Sequence, residues 1–207
     1  MGGPSFPIHV GLSHRVLWLY GLHALLSNIC FLAGFYLLPP GSLRETAITW
    51  AGRAAAAAED SWVELGRTLL FNLVLVAGLG VAANLQRIRD FPLGYCIPIV
   101  HGVLGGLIAG SNSFVASDLT RYDAWRGTAL GLSIGGVELF AYVLIISATV
   151  PVGLYQYRSW TDWHPTKLKT LRQVRLSATE WYAVAFGALL LLLAAWRETR
   201  MAANLPV

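Results

Sequence analysis

Charged side chains are scarce in this sequence. They make up 13% of its 207 residues, against about 25% in an ordinary soluble domain. Cysteine is scarcer still. Cys30 and Cys96 are the two present; their separation matches neither a metal site nor a redox pair, and both fall in apolar stretches, so they read as buried thiols. No Walker-type phosphate loop occurs, no His-Glu-x-x-His, and no Ser or Cys nucleophile in a recognisable setting. The chain therefore reads as non-enzymatic, with no metal site. The net charge of +4 is too small to call for nucleic acid and fits a membrane-surface bias.

Apolar residues are what the chain has in abundance: 56% of it, with a mean hydropathy of +0.56. They fall in runs near the length that crosses a bilayer, about 20 residues. The expectation is one all-α domain, a polytopic transmembrane helix bundle of about five spans plus one surface helix. The spans are placed at about 16–38, 65–84, 93–110, 128–153 and 178–196.

Local signals set the boundaries. Pro39-Pro40-Gly41 stops the first span. Ser42-Leu43-Arg44-Glu45 reads as a capping box, a Ser accepting from the third helical N–H and a Glu reaching back. It opens an Ala-rich helix to about Glu59, too polar at its ends to span. Ser61 with Glu64, and Ser177 with Glu180, form two more such boxes, and Glu180 needs no further role. Pro98 inside the third span predicts a kink. Tyr155, Tyr157, Trp160 and Trp163 fit an interfacial aromatic belt. Lys167 to Arg175 reads as a short amphipathic helix on an anionic leaflet, so bound lipid is expected.

The densest information lies in 93–157. Gly102, Gly106 and Gly110 are four apart and stack on one helix face. Gly131, Gly135, Glu138 and Tyr142 share a face of the next span. Small residues so spaced let helix backbones meet, within the chain or with another membrane protein. Glu138 lies about ten residues inside an apolar segment, where a carboxylate is costly unless it faces protein, water or a partner. It can serve as a proton or cation site, paired with His101 if the two glycine faces meet. It can equally fix helix packing, accepting from Tyr142, Asn72 or Asn112, or remain protonated. His23 and His101 raise the further reading of a tetrapyrrole pigment with an imidazole ligand, although a lone membrane histidine more often bonds a neighbouring helix.

Three stretches carry a resemblance: Leu70-Phe71-Asn72-Leu73, Val100-His101-Gly102-Val103-Leu104-Gly105 and Gly135-Gly136-Val137-Glu138-Leu139. With Ala194-Ala195-Trp196-Arg197-Glu198 they make residues 65–200 resemble the stage II sporulation protein M family of small bacterial multi-pass membrane proteins. His101 stands where that family usually has Asn, and Gly135 where it usually has His. The resemblance implies a scaffold or a permease-like role and no defined reaction. The expected function is a membrane scaffold or accessory subunit that docks other integral membrane proteins through glycine-rich faces. The alternative is a transport component working with a separate ATPase, and a third reading is a pigment- or lipid-contacting subunit of a photosynthetic or respiratory complex. The expected location is the bacterial inner membrane. Lys and Arg number eight on the side of the amino tail and seven on the other; five cluster in the 158–177 loop, which places the amino terminus in the cytoplasm.

Overall fold

The computed structural model describes residues 10–46, 61–113, 124–162 and 164–203. It is an all-α bundle with five helices long and apolar enough to cross a membrane. These are α1 (Leu12–Leu37), α2, α3 (Cys96–Gly110), α4 (Ala124–Ala148) and α5 (Ala178–Ala203). Helix α2 is composite: α-helical over Ser61–Leu69, a π-helix over Leu70–Gly78, and α-helical again over Leu79–Ala83. The outward faces are apolar, with Leu17, Leu25, Leu73, Val74 and Leu192 all exposed. That is the pattern of helices whose surroundings are lipid rather than water.

The core is the carboxyl half of α4, where residues 141–150 are all buried. Helix α5 reaches it through Gly187, whose missing side chain leaves space already filled by Ile145 and the Ala141 carbonyl. The α3 glycine face packs on α1 and not on α4. A Cβ on Gly106 would stand 2.4 Å from the Ser27 carbonyl oxygen, and one on Gly110 would stand 2.1 Å from that of Phe31. Gly34 of α1 answers in kind against the Leu107 carbonyl at 2.7 Å. Among the described residues nothing lies within 4 Å of a Cβ on Gly135 or Gly136 of α4, so the α3 glycines meet α1 and not these two. Gly131 lies one turn before Gly135 on α4.

Both ends of the bundle are tied by connections that hydropathy does not reveal. At one end β1 (Gln86–Ile88), β2 (Phe91–Pro92), β3 (Tyr155–Tyr157) and β4 (Thr166–Lys167) form a sheet in the order β2-β1-β3-β4. Strands β1 and β3 run parallel with Arg87 opposite Gln156. Asn84 reinforces this end by donating to the Ile146 carbonyl at 2.7 Å and to Thr149 Oγ1 at 2.9 Å. At the far end Ser111, Asn112 and Ser113 receive the chain leaving α1. The Gly41 N–H donates to the Ser111 carbonyl, the Leu43 N–H to Ser113 Oγ, and Arg44 to the Asn112 carbonyl.

Several expectations are corrected. The fourth span reaches its expected limit near 153, but its α-helix ends at Ala148 and its last turn, Val150–Val152, is 3-10. Pro151 and Gly153 together account for the break. Lys167 to Arg175 is not a helix. It holds the end of β4 and a single 3-10 turn, Leu171–Gln173, closed by a Thr170–Gln173 capping box. Residues 40–46 are successive turns rather than the start of a helix, with i to i+3 bonds such as Arg44 N–H to the Gly41 carbonyl; the rest of the expected surface helix lies outside the described residues. Pro98 falls in the first turn of α3, where a missing N–H costs nothing, so it leaves the helix unbroken.

Because Gly106 faces backbone atoms that cannot turn aside, Gly106→Ala should lower stability by about 1–3 kcal/mol, read by thermal unfolding in mild detergent. Gly105, with nothing within 4 Å of a Cβ, is the matched control: Gly105→Ala should leave the midpoint unchanged or raise it.

Candidate functional site: a polar cluster inside the membrane

The α1–α3 contact determines where the two histidines meet. Gly102 has no side chain, and a Cβ there would come within 2.9 Å of His23 Nδ1. His23 fills that space and donates from Nδ1 to the Pro98 carbonyl at 2.7 Å. A carbonyl only accepts, so the proton sits on Nδ1 and Nε2 carries the lone pair. The His23 ring is buried. It lies 5.7 Å from the His101 ring, nearly parallel to it. His101 in turn meets Tyr142 of α4 edge-on, at 6.1 Å between centroids.

One turn before Tyr142 stands Glu138. Its Oε1 accepts a 2.8 Å hydrogen bond from Nδ2 of Asn72. Asn72 is buried, and it is the third residue of the π-helical segment of α2. A π-turn widens a helix locally and is often found at functional sites. Four helices thus contribute polar side chains to one cluster: His23 from α1, Asn72 from α2, His101 from α3, and Glu138 and Tyr142 from α4.

Counting along each helix from its sheet-side end at about 1.5 Å per residue, His23, Asn72 and Glu138 sit roughly 15–17 Å in, and His101 and Tyr142 about 8–9 Å in. A hydrocarbon core is about 30 Å thick, so the first three are near its middle. Tyr142, His23 and Asn72 are buried, Glu138 is half-buried, and His101 is open over more than a third of its surface.

A pigment held between the two histidines does not fit. Their rings lie against each other, and a macrocycle between them would have to separate α1 from α3, whose backbones touch at Gly106 and Gly110. Among the described residues no three His, Cys, Asp or Glu side chains gather as a metal site. Cys30 and Cys96 are unbonded thiols, and Cys30 packs against Gly106.

Sequence reasoning missed a second polar group. Arg15, in the first turns of α1, donates from Nη2 to Glu180 Oε1 at 2.8 Å, with both side chains largely buried. The other carboxylate oxygen of Glu180 closes the expected capping box, accepting from the Ser177 N–H at 2.9 Å. One carboxylate therefore caps α5 and pins it to α1. The usable signal was Arg15 itself, a cation at the mouth of an apolar run.

Comparison with protein-family models, curated proteins and solved structures finds no match. The reading of the cluster rests on its own geometry.

Glu138→Gln retains an acceptor for Asn72 and should cost little stability. Glu138→Leu strands a buried amide and should cost about 1–3 kcal/mol. Comparing the two unfolding midpoints in detergent checks the pair. Arg15→Met should be more damaging, roughly 3 kcal/mol, because it leaves a buried carboxylate without its cation.

Proposed function

We propose that the chain is a permease-like membrane component, with the Glu138, Tyr142, His101 and His23 cluster as its polar site for a proton or small cation. The observation that carries this reading is the depth of His23, Asn72 and Glu138 near mid-membrane, with the adjoining His101 left partly open. Polar groups are expensive at that depth, and in membrane proteins they mark substrate, ion and proton paths. A carboxylate with an amide donor, a phenol and two imidazoles offers both proton acceptors and cation ligands. The proposal includes a separate ATPase partner, since the chain contains no phosphate loop. It also includes the resemblance to the sporulation protein M family. The three stretches that carry the likeness are far apart in sequence, and Asn72 of the first bonds Glu138 of the third.

A second reading, an accessory subunit that docks other membrane proteins, has its own support. The glycine face of α3 is occupied by α1, but among the described residues nothing fills the space at Gly135 and Gly136 of α4, into which another helix can pack. In either case the bacterial inner membrane is the proposed location, with the sheet end and the amino terminus in the cytoplasm. The five Lys and Arg of the 158–177 loop at the sheet end support that orientation.

Two measurements test the permease reading. In a background without Cys30 and Cys96, His101→Cys should react with a membrane-impermeant thiol reagent, because the site communicates with water. Affinity purification from native membranes should bring down a subunit with a phosphate loop. An unreactive cysteine, or a purified complex holding only other membrane proteins, overturns the transport reading and favours docking.

A further inference from the structure

The four-stranded sheet carries a cationic surface that the mid-membrane cluster does not use. Arg89 occupies the turn between β1 and β2 with φ 53°, in the left-handed region that disfavours a residue with a Cβ. Two bonds hold it there. Its N–H donates to the Tyr157 carbonyl at 2.9 Å, and its Nε donates to the Arg158 carbonyl at 3.1 Å. The result is the Arg89 side chain fixed against the backbone of Arg158. Behind them Arg87 donates to Gln156 Oε1 at 3.0 Å. It lies near Lys169, whose amine donates to the Pro151 carbonyl. Burial, and then the neighbouring Arg87 charge, draws that amine below the ordinary lysine range.

The like charges of Arg87 and Lys169 are thus drawn together by neutral acceptors. Asp162 bonds His164, through Nδ1 at 3.0 Å and the backbone N–H at 3.2 Å, and its charge also faces Arg158. Like charges at close range repel unless an anion lies between them. The chain after β4 adds a second feature. Leu171 is 70% exposed on a turn held by its capping box, beside exposed Arg172 and Arg175. Leu168 and Trp160 are exposed as well. Exposed leucines and an indole among cations, at the end of a transmembrane bundle, match the boundary between headgroups and acyl chains.

We propose that this sheet platform binds anionic phospholipid headgroups of the adjoining leaflet, with Arg89 and Arg158 taking the phosphate and Leu168 and Leu171 entering the acyl boundary. A surface cation contributes about a fivefold preference for an anionic leaflet, so a pair contributes roughly thirtyfold.

The test is lipid retention by the full chain in detergent, read by native mass spectrometry with added phosphatidylglycerol or phosphatidylcholine. Wild type should retain phosphatidylglycerol preferentially. Arg89→Gln with Arg158→Gln should reduce that preference by roughly thirtyfold. Because Arg89 also holds the sheet turn, Arg172→Gln with Arg175→Gln provides an independent variant; the recorded hydrogen bonds of Arg175 stay within its own turn, and here too the preference should fall. Equal retention of the two lipids by wild type overturns the proposal, as does an unchanged preference in the exposed-loop variant. Soluble glycerol phosphate displacing the lipid as well as phosphatidylglycerol does would also overturn it, by assigning the site to a free phosphate.

Discussion

The backbone contact between α1 and α3 is the constraint on which the rest depends. In lipid, apolar side chains gain little by leaving their surroundings for one another. Helix pairing therefore rests on dispersion and close approach. Gly102, Gly106 and Gly110 on one helix and Gly34 on the other remove every Cβ that would hold the backbones apart. Three consequences follow from that single contact. His23 reaches the Pro98 carbonyl, the two imidazoles come ring to ring, and the amino end of α1 brings Arg15 to Glu180.

The polar side chains then resolve into two levels with different physics. Near the sheet end, Arg15 and Glu180 form a charged pair, and Glu180 also receives hydrogen bonds from Ser177. Such a pair is costly to break and specifies which helices are neighbours. Near mid-membrane the arrangement is looser. Asn72 anchors one oxygen of Glu138, Tyr142 and His101 meet edge-on, and part of His101 remains open. A site meant only to lock helices would bury its polar groups fully, as the Arg15–Glu180 pair does. The half-open geometry of the deeper cluster is better suited to exchange with a mobile species.

The small sheet adds a rigid end plate to the bundle. Parallel pairing of β1 with β3 joins the exits of α2 and α4, while Asn84 crosses between the same two helices. The loops that carry most of the positive charge on that side are therefore braced, which gives the cationic surface a defined shape.

Hydropathy determined the membrane class, the five spans and their approximate limits, because burial of a 20-residue apolar run in lipid depends on the run alone. The Ser177–Glu180 cap was legible for the same reason: it is a local device, complete within four residues. Asn72, His101 and Glu138 were legible as polar exceptions inside apolar helices. The Asn72–Glu138 bond was among the pairings the sequence offered, whereas the stacking of His101 on His23 was not. The α3 glycines select α1 rather than α4 through the shape of both surfaces, and spacing along one helix carries no information about the other. The π-winding of α2, the second role of Glu180 and the pairing of strands two or three residues long are likewise decided between segments distant in the chain. Sequence by itself determined what enters the membrane; only the tertiary structure decided which polar groups meet there, because that depends on relative helix rotation and depth, set by the sum of many side-chain contacts.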